Sequence, residues 1–385
     1  MTLRLLTAGE SHGPELVLIV EGIPAGVAVD SDLIDGELER RRGGYGRGAR
    51  STKIERDHAE IVSGVSGSRT TGAPLALRIV NLDFANQPVD PVPLTTPRPG
   101  HADLAGAAKH GHTDFRVVRE RASARETAAR VAAAAVIRPF LNEFGISLGC
   151  FVVGIGKVEM AVDLGRSTAN SLRHMATAAE TDPVRCSEPA VSDRMVAAID
   201  RAKDDRQTLG GTFVAFATGV PIGLGSYTHW DLRLDGRLAQ AVCSIPAIKG
   251  VELGPAFDLA TRSGTEGQDP ILGSPGQLSR ASNFAGGVEG GVSNGEPIVL
   301  RAAMKPLSST RAPAQSVDFR TGAAADPPYV RSDICAVPAA AVVGEAMLAW
   351  VLAQTLIERF GGDRLDLDLA AFRQATPNPG AELAD

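Results

Sequence analysis

The sequence GVSGSRTTGAPLALR, residues 64–78, decides the fold, because the chain carries a second copy of its pattern. The second copy is GVEGGVSNGEPIVLR, residues 287–301. Seven of the fifteen aligned positions are identical without a gap, where chance would give about one. The chain therefore contains two related segments, and an internal repeat of this kind guides the interpretation of the remaining sequence.

Shorter matches surround the two copies and occur in the same order in both. We infer two related halves, about residues 1–150 and 205–365, within one domain that spans residues 1–385 and has a shared core. Such halves commonly pack about a pseudo-two-fold axis, so that one site is assembled from both. The flanking matches are Gly22-Ile-Pro-Ala-Gly26 with Gly219-Val-Pro-Ile-Gly223, Asp35-Gly-Glu-Leu38 with Asp235-Gly-Arg-Leu238, and Arg121-Ala-Ser123 with Arg331-Ser-Asp333.

Strand patterns occur in the first half. Residues 16–20 form a continuous apolar run between two glutamates, which is typical of a buried strand. Leu75, Leu77 and Ile79 alternate with other residues, which predicts a strand with one covered face. A Pro-rich stretch, residues 88–99, predicts a loop. Strand hairpins combined with long helices in each half indicate an α+β fold and not a doubly wound parallel sheet.

Helix signals follow in both halves. Residues 123–126, Ser-Ala-Arg-Glu, match a capping box that opens a helix running toward Leu141. Pro338 fits the first turn of a second long helix that ends near Phe360. Asp333 is expected to begin that second helix, as Ser123 begins the first. A helix N-terminus carries free N–H groups and partial positive charge, which suits an anionic group, although each residue could equally be an ordinary cap.

Composition excludes several classes of protein. Hydrophobic residues make up 44% of the chain and charged residues 22%, which argues against extensive disorder. The formal net charge of −6 is unlike that of a protein that binds nucleic acid nonspecifically. The most apolar stretch, residues 334–357, contains Pro338, Glu345 and Gln354, so we expect a buried core helix and not a membrane span.

The N-terminal sequence and the cysteines both bear on the cellular location of the protein. The N-terminal sequence MTLRLLTAGESH lacks the long apolar run of a signal peptide. The four cysteines lie far apart and no CxxC motif occurs, which argues against a zinc knuckle. We therefore expect buried free thiols and a cytoplasmic location. The cysteines are Cys150, Cys186, Cys243 and Cys335.

Arginines are concentrated in two short segments, residues 40–50 and 116–130. A net-acidic protein with local arginine clusters suggests a small anionic ligand held in a pocket. For residues 40–50, RRRGGYGRGAR, an RNA-binding Arg/Gly segment remains an alternative. The arginines are Arg40, Arg41, Arg42, Arg47 and Arg50 in the first segment, and Arg116, Arg119, Arg121, Arg125 and Arg130 in the second.

Two histidines stand next to glycines that permit close approach of a ligand. Residues 9–13, GESHG, formally match a serine nucleophile elbow, but only eight residues precede them, too few for the strands that an elbow needs. A glycine turn that presents Ser11 and His12 is the better interpretation. His101, between Gly100 and Asp103, is a candidate acid–base group because a neutral imidazole can donate or accept a proton near pH 7.

A second histidine pair raises a different possibility. His110, His112 and Asp114 resemble part of a dinuclear metal motif, but the remaining ligands are not evident, so no metal site is expected. A metallohydrolase nevertheless stays open as an alternative, and it predicts inactivation by chelators. Residues 305–310, KPLSST, form a loop with one cation and three hydroxyl groups that could hold phosphate.

Taken together, the motifs resemble those of the chorismate synthases. They span residues 9 to about 345, and each is weak alone, but eight in the same order are specific. One departure is His110, where members of the family often have Tyr. The motifs are GESHG, RRRGGYGRGAR, RPGHAD, RASARETAARVA, IPAIKGVELG, NFAGGVEGGVSNG, AAMKPLSS and RSDICAVPAA.

The resemblance implies a fold and a reaction. The expected fold is an α+β sandwich with long helices between antiparallel sheets, assembled as a homotetramer. The expected reaction is the anti-1,4-elimination of phosphate from 5-enolpyruvylshikimate-3-phosphate to chorismate, the last step of the shikimate pathway to aromatic amino acids. Reduced FMN would be the cofactor. Because the two halves account for most of the chain and no additional nucleotide-binding domain is visible in the sequence, we expect a separate flavin reductase to supply the reduced FMN. NADPH and oxidised FMN alone should then not sustain turnover. Nucleic-acid and membrane partners are not expected.

The resemblance also implies residue roles. It makes His12 and His101 the two catalytic histidines, and Asp333 the acidic partner at the flavin. We expect His12 to protonate the leaving phosphate and His101 to protonate the reduced flavin. Substrate anions would meet Arg41, Arg47, Arg50, Arg98 and Arg125. FMN would contact Arg121, Ala122, Ser123, Pro246, Ala247, Gly290, Lys305, Pro306, Leu307, Ser308, Ser309 and Arg331.

Overall fold

A computed structural model describes residues 2–48, 56–88, 91–274, 277–329 and 332–375. Within these residues the chain alternates strands with helices, and all pairings between the named strands are antiparallel. The strands are β1 (Arg4–Ala8), β2 (Glu15–Glu21), β3 (Ala59–Ser63), β4 (Val65–Ser66), β5 (Arg69–Thr70), β6 (Leu75–Val80), β7 (Ser147–Ile155), β8 (Val158–Glu159), β9 (Gly211–Thr218), β10 (Ile248–Leu253), β11 (Ile271–Ser274), β12 (Gln277–Arg280), β13 (Val288–Glu289), β14 (Val292–Ser293), β15 (Ile298–Met304), β16 (Ser316–Val317) and β17 (Ala324–Ala325). The helices are α1 (Ser31–Arg42), α2 (Asp103–His110), α3 (Phe115–Arg121), α4 (Thr127–Glu143), α5 (Ala169–Glu180), α6 (Pro189–Asp204), α7 (Leu234–Cys243), α8 (Ala256–Leu259), α9 (Val337–Phe360) and α10 (Leu365–Ala375).

The first sheet has the strand order β1-β2-β6-β3. Both predicted strands are present, since residues 16–20 lie in β2 and Leu75, Leu77 and Ile79 are buried along β6. Burial in β2 alternates, however, and Val17 and Ile19 are only half-buried. An antiparallel sheet can leave one face toward solvent, which explains why β2 is covered on one face although its sequence is apolar throughout.

The second sheet has the strand order β10-β15-β9-β7-β8 and is covered on both faces. Burial along β7 and β9 is nearly continuous. The cause is that α9 packs against β7 and β9, while α5 packs on β7 as well. An apolar strand sequence without alternation is typical of a strand that is covered on both faces.

The two long helices α4 and α9 pack against each other and join the halves, with α1 beside them and α7 against α9. Pro338 occupies the first turn of α9, as predicted. This helix is apolar and long enough to cross a membrane by composition, but 94% of its most apolar window is buried inside the protein. It is therefore the core helix that the sequence predicted, and with the antiparallel sheets it confirms the α+β class.

The same order of elements recurs in both halves. Strand β2, helix α1, strand β3, hairpin β4–β5 and strand β6 correspond to β9, α7, β10, hairpin β13–β14 and β15, and the strand order within the sheets matches. Gly64 and Gly287 open the two hairpins with φ of +87° and +82°. Their carbonyls accept hydrogen bonds from Thr71 and Asn294, each seven residues later, at 3.0 Å. This agreement supports the internal duplication, which we propose as the origin of the fold.

Two predicted helix starts are wrong. Ser123 caps a short 3-10 turn, Ala124–Glu126, by accepting from the Arg125 N–H, and α4 begins after it. Glu126 does not complete a capping box, because its carboxylate accepts from Thr7 at 2.9 Å and Arg130 at 2.9 Å. Asp333 lies four residues before α9, whose N-cap is Ala336. Both differences arise because Glu126 and Asp333 bind partners that are distant in the sequence, Thr7 and Arg47, instead of capping a helix.

The thiol prediction also needs one correction. Cys150, Cys186 and Cys335 are buried and free, but Cys243 is free and exposed. Cys243 is the last residue of α7, and the side chain at this helix end faces solvent. Burial raises the pKa of the Cys335 thiol to about 12, which keeps it protonated and unreactive.

Candidate active site

One large cavity, of about 1280 Å³, is lined by residues from both halves. A pocket for one small molecule usually measures about 300–1,000 Å³, so this cavity has room for more than one ligand. Cationic side chains dominate its described lining and outnumber the carboxylates nine to four. The cationic residues are Arg41, Arg47, Arg98, Arg116, Arg119, Arg121, Arg125, Arg130 and Lys305, and the carboxylates are Asp83, Glu120, Glu126 and Asp333. Such a field favours a ligand that carries several negative charges.

The GESHG turn places His12 in the cavity, where Glu120 of α3 holds it. One carboxylate oxygen, Oε2, lies 2.7 Å from His12 Nδ1 and 2.9 Å from the His12 backbone nitrogen. Burial opposes the charge on Glu120, but the hydrogen bond and charge of His12 and the neighbouring Arg119 outweigh it and lower the pKa of Glu120. An ionised Glu120 accepts a hydrogen bond from the Nδ1–H of His12, which fixes the orientation of the imidazole at the cavity wall.

A second histidine–carboxylate pair is formed by His101 and Asp103. His101 Nδ1 lies 2.6 Å from Asp103 Oδ1, and Arg98 donates to Asp103 through its backbone nitrogen, Nε and Nη2. Burial opposes the charge on Asp103, but His101 and Arg98 lower its pKa well below its usual range. The Arg98 guanidinium also donates to Ser309 at 2.8 Å, which connects this pair to the second half.

Arg41 and Arg125 line the cavity and share a buried counter-charge, Asp57. Arg125 Nη1 donates to both Asp57 oxygens at 2.7 and 2.6 Å, and Arg41 lies 3.7 Å from the same carboxylate. Burial opposes the charge on Asp57, but Arg125 and then Arg41 lower its pKa. Arg41 is further held by Thr127 and the Ala124 carbonyl. Both guanidinium groups are therefore held in place before any ligand arrives.

Arg47 and Asp333 bring the two halves together at the cavity wall. Arg47 Nη1 donates to Asp333 Oδ2, and the Gly48 backbone nitrogen donates to Oδ1 at 2.7 Å. The loop before α9 thus lies against the Arg/Gly segment that follows α1. Arg47 and Gly48 together fix the orientation of the Asp333 carboxylate at this wall.

The segment at residues 121–123 presents hydroxyl and guanidinium groups to the cavity. Ser123 Oγ donates to Ser11 Oγ at 3.1 Å, beside His12. Arg121 donates to the Thr7 carbonyl at 2.8 Å and remains largely exposed. Ala122 and Ser123 line the cavity with it. These groups are of the kind that hold a phosphate oxygen.

The second half supplies a turn and a loop to the opposite wall. Pro246 and Ala247 line the cavity, and Ala247 adopts a φ of +70°, a left-handed conformation that costs a non-glycine residue about 1–2 kcal/mol. The Ala247 carbonyl accepts from the Lys305 backbone at 2.9 Å, which ties the turn to the loop. The turn is thus kept in a strained shape at a ligand-binding wall, a common location for strain.

Lys305, Leu307, Ser308 and Ser309 line the cavity in that loop. Burial, and then the charge of Lys249, lower the pKa of Lys305, so an anion would relieve both effects. Ser308 donates to the Gly100 carbonyl at 3.0 Å and so joins the loop to the His101 segment. The neighbouring apolar wall is formed by Ile245, Met304, Ala339, Ala340 and Val343.

The structure does not bring every predicted contact to the cavity. Gly290 lies in the exposed turn of hairpin β13–β14, where its carbonyl accepts from Arg233, and Pro306 is not among the lining residues. Gly290 and Pro306 therefore stay predicted FMN contacts that do not line this cavity. Arg50 and Arg331 lie outside the described residues.

The sequence did not identify the carboxylates that hold the predicted histidine and arginine side chains. Asp57 and Glu120 come from segments 16 and 108 residues away from Arg41 and His12. Nothing in their local sequence marks them, because an acidic residue between arginines is typical of a surface. Asp103 stood inside the RPGHAD motif, where its two-residue spacing from His101 was a usable signal.

The alternative functions receive less support from the geometry. Asp114 Oδ1 accepts from the backbone nitrogens of Arg116 and Leu94, so it is engaged in capping α3. Within the described ranges no group of three or more His, Cys, Asp or Glu side chains is placed to hold a metal ion. In the Arg/Gly segment, Arg41 and Arg47 point inward, with only 5% and 7% of their side chains exposed.

Comparison with known proteins decides the family. The family model described as chorismate synthase matches residues 3–357. The chain belongs to the chorismate synthase family. The chorismate synthase of Desulforudis audaxviator (strain MP104C) is 52% identical over 375 residues, with 94% of each chain covered. That of Rubrobacter xylanophilus (strain DSM 9941 / JCM 11954 / NBRC 16129 / PRD-1) is 52% identical over 369 residues, covering 94% of this chain and 93% of the other.

A solved structure agrees. A crystal structure of a chorismate synthase superposes with a TM-score of 0.82 at 42% identity and covers 99% of both chains. The predicted fold class and family are therefore confirmed.

Proposed function

We propose that this chain catalyses the reaction of its family, the anti-1,4-elimination of phosphate from 5-enolpyruvylshikimate-3-phosphate to give chorismate. One observation carries the proposal. His12, His101 and an excess of arginines face a single cavity that is large enough for a substrate and a cofactor together. The substrate carries a phosphate and two carboxylates, which match that excess of positive charge. The histidines supply the acid–base groups that an elimination needs.

His12 would protonate the leaving phosphate. Its Nδ1 is held by Glu120, so Nε2 is the atom that exchanges the proton, and the ionised Glu120 stabilises the imidazolium. Arg41 and Arg125, fixed by Asp57, would orient a substrate anion. Because these two guanidinium groups are in position beforehand, they hold the substrate without reorganising during the reaction.

Reduced FMN fits the remaining wall. Lys305, Ser308, Ser309 and the Ser123 segment offer cation and hydroxyl partners to a phosphate, and the strained turn at Ala247 with the apolar side chains of α9 offers a surface for a flat ring. When bound, reduced FMN would lend electron density as the phosphate leaves and recover it afterwards, so a redox cofactor serves a reaction with no net redox change. His101 would hold a proton toward the cofactor, and Asp333 would relay the proton removed from C6 of the substrate.

The test is a direct assay. Protein mixed anaerobically with reduced FMN and 5-enolpyruvylshikimate-3-phosphate should release chorismate and inorganic phosphate in equal amounts. Oxidised FMN without a reductant should give neither product. Tight binding of RNA with no release of phosphate would favour the Arg/Gly alternative, and phosphate release that chelators abolish would favour the metallohydrolase.

We also propose that a separate reductase supplies the reduced flavin. The two halves account for most of the chain, and we assign no segment to an NADPH-oxidising domain. Purified protein given NADPH and oxidised FMN under anaerobic conditions should therefore form no chorismate, while addition of a flavin reductase should restore formation. Sustained turnover with NADPH and FMN alone would contradict this part of the proposal.

The proposed assembly is a homotetramer in the cytoplasm. Support comes from the outer face of the first sheet, where Leu6, Val62 and Val80 are exposed large apolar side chains. Such faces are commonly covered by another copy of the chain. Light scattering after size exclusion should give four times the mass of one chain, and a monomeric mass at micromolar concentration would contradict the tetramer.

A further inference from the structure

Helix α3 brings two arginines without an assigned role, Arg116 and Arg119, to the cavity wall one turn apart. Arg119 Nη2 donates to Glu120 Oε1 at 3.2 Å, and Arg116 Nη2 donates to the Val92 carbonyl at 2.8 Å. Each guanidinium has five N–H donors, so one protein contact leaves most of them for another partner.

The Nε atoms of both arginines are buried and make no hydrogen bond with any described residue. A buried donor without a partner is costly, and a charged one more so. Burial, and then the charges of Arg98 and Arg116, lower the pKa of Arg119 even though Glu120 opposes this. The wall therefore holds like charges together with unsatisfied donors, an arrangement that an anion would relieve.

We propose that Arg116 and Arg119 form a phosphate subsite that receives the leaving phosphate group. The assignment of this phosphate to the substrate rests on the proposed function. Glu120 provides the positional argument, because its Oε1 contacts Arg119 while its Oε2 contacts His12. Arg119 and the histidine that would protonate the leaving oxygen are therefore held by the same carboxylate.

Phosphate fits this subsite better than a carboxylate. It presents more oxygens and up to two negative charges, whereas a carboxylate offers two oxygens and one charge. Two guanidinium groups one helical turn apart can each take a different phosphate oxygen. The pair Arg41 and Arg125, already neutralised in part by Asp57, suits a singly charged carboxylate instead.

The test measures binding of inorganic phosphate to flavin-free protein by titration calorimetry at constant ionic strength, with acetate as the carboxylate probe. Arg119→Gln should weaken phosphate binding about tenfold or more, the loss of a charge-assisted contact, and Arg119→Lys less. Arg166→Gln is the matched control, because that arginine is 78% exposed and remote from the cavity. Arg116→Gln repeats the test independently if the first variant melts early. Phosphate affinities equal to those of the parent in both Gln variants would overturn the subsite, and so would weaker acetate binding with unchanged phosphate binding.

Turnover separates this inference from the proposed function. If no chorismate forms but phosphate binding still depends on Arg119, the subsite stands and the reaction proposed above fails. If chorismate forms and the inhibition constant of inorganic phosphate is the same in Arg119→Gln as in the parent, the reaction stands and the subsite falls. The expected result is chorismate formation together with a phosphate inhibition constant raised about tenfold in the variant.

Discussion

The two halves share an order of elements but contribute different chemistry to the cavity. The first half supplies His12 and His101, each held by a carboxylate, together with the eight arginines of the described lining. The second half supplies the strained turn at Ala247, the Lys305 loop and an apolar helix face. Corresponding positions differ as well. Ser123 before α4 bonds another hydroxyl, whereas Asp333 before α9 pairs with Arg47. A repeated framework thus determines where groups stand and leaves their chemistry free to diverge.

The strongest test of this division removes the first-half histidines. His12→Ala and His101→Ala should each lower kcat by about 10²- to 10⁴-fold, the usual contribution of a general acid–base group. Each variant should keep the melting temperature and assembly of the parent. His174→Ala, an exposed histidine of α5, is the control and should keep full activity. Near-normal turnover in either variant would remove that histidine from the mechanism.

The second test asks whether the second half contributes a reacting group at all. Asp333→Asn keeps the size of the side chain but loses its charge and one of the two oxygens that accept from Arg47 and Gly48. If Asp333 relays the C6 proton, FMN and substrate should still bind while kcat falls about 10²-fold or more, and the isotope effect of deuterium at C6 should rise. If Asp333 only holds Arg47, substrate affinity should fall and the isotope effect should stay unchanged. The second pattern would assign all acid–base chemistry to the first half.

The sequence could predict a site residue where a local motif marks it, but not where its meaning depends on a contact with a residue far away in the chain. Local glycine and arginine motifs marked His12, His101 and the arginines, and the structure brings both histidines to one cavity with Arg41, Arg47, Arg98 and Arg125. Glu120 could not be predicted, because its contact with His12 spans 108 residues and depends on how the fold places α3 beside the GESHG turn. Asp57 is similar, since its meaning comes only from burial between two arginines.

The fold itself was more predictable than its details. The repeated segments and the alternating strand β6 follow from local pattern, as do the long apolar helix and its Pro338. The starts of α4 and α9 were wrong because Glu126 and Asp333 have distant partners that compete with helix capping. The duplication and the residue roles stay predictions.

A third test concerns the contact between the halves. Glu345 of α9 is buried and pairs with Arg138 of α4 and Arg40 of α1. Burial opposes its charge, but the two arginines lower the pKa of Glu345 well below its usual range. Glu345→Gln should lower the free energy of unfolding at pH 7 by about 1.5–3 kcal/mol, because Arg138 and Arg40 lose a buried charged partner but keep Glu37.

The sign of the pH dependence follows from the lowered pKa. A depressed carboxyl pKa contributes stability that is fully present above the unfolded value of about 4.3 and is lost as pH falls through the folded value. The difference in unfolding free energy between parent and variant should therefore shrink below pH 4, as measured by denaturant titration. Glu39→Gln, on an exposed carboxylate of the same region, is the control. If the difference in unfolding free energy between parent and variant were the same from pH 3 to pH 8, the charge of Glu345 would not contribute to the stability of the contact between the halves.

The smallest expected effect lies where the chain end returns to the first half. Helix α10 follows the bridge between Arg364 and Ala25, and its Asp368 is buried with an Oδ2 that has no hydrogen-bond partner among the described residues. Burial, and then Asp363 and Asp366, raise the pKa of Asp368 to about 6. The folded state therefore binds a proton more tightly than the unfolded state, whose carboxyl has a pKa of about 3.9. Stability is lost as pH rises between these two values, the opposite direction to Glu345.

Asp368→Asn cannot ionise, so it should be more stable than the parent by about 1–3 kcal/mol at pH 8 and nearly equal to it at pH 4. Denaturant titrations at both pH values test this expectation, with Asp163→Asn, whose side chain is 62% exposed, as the control. A variant that is less stable than the parent at pH 8 would contradict this expectation. It would show that ionised Asp368 has a charged partner and that α10 is held to the first half by an ion pair, as α9 is at Glu345.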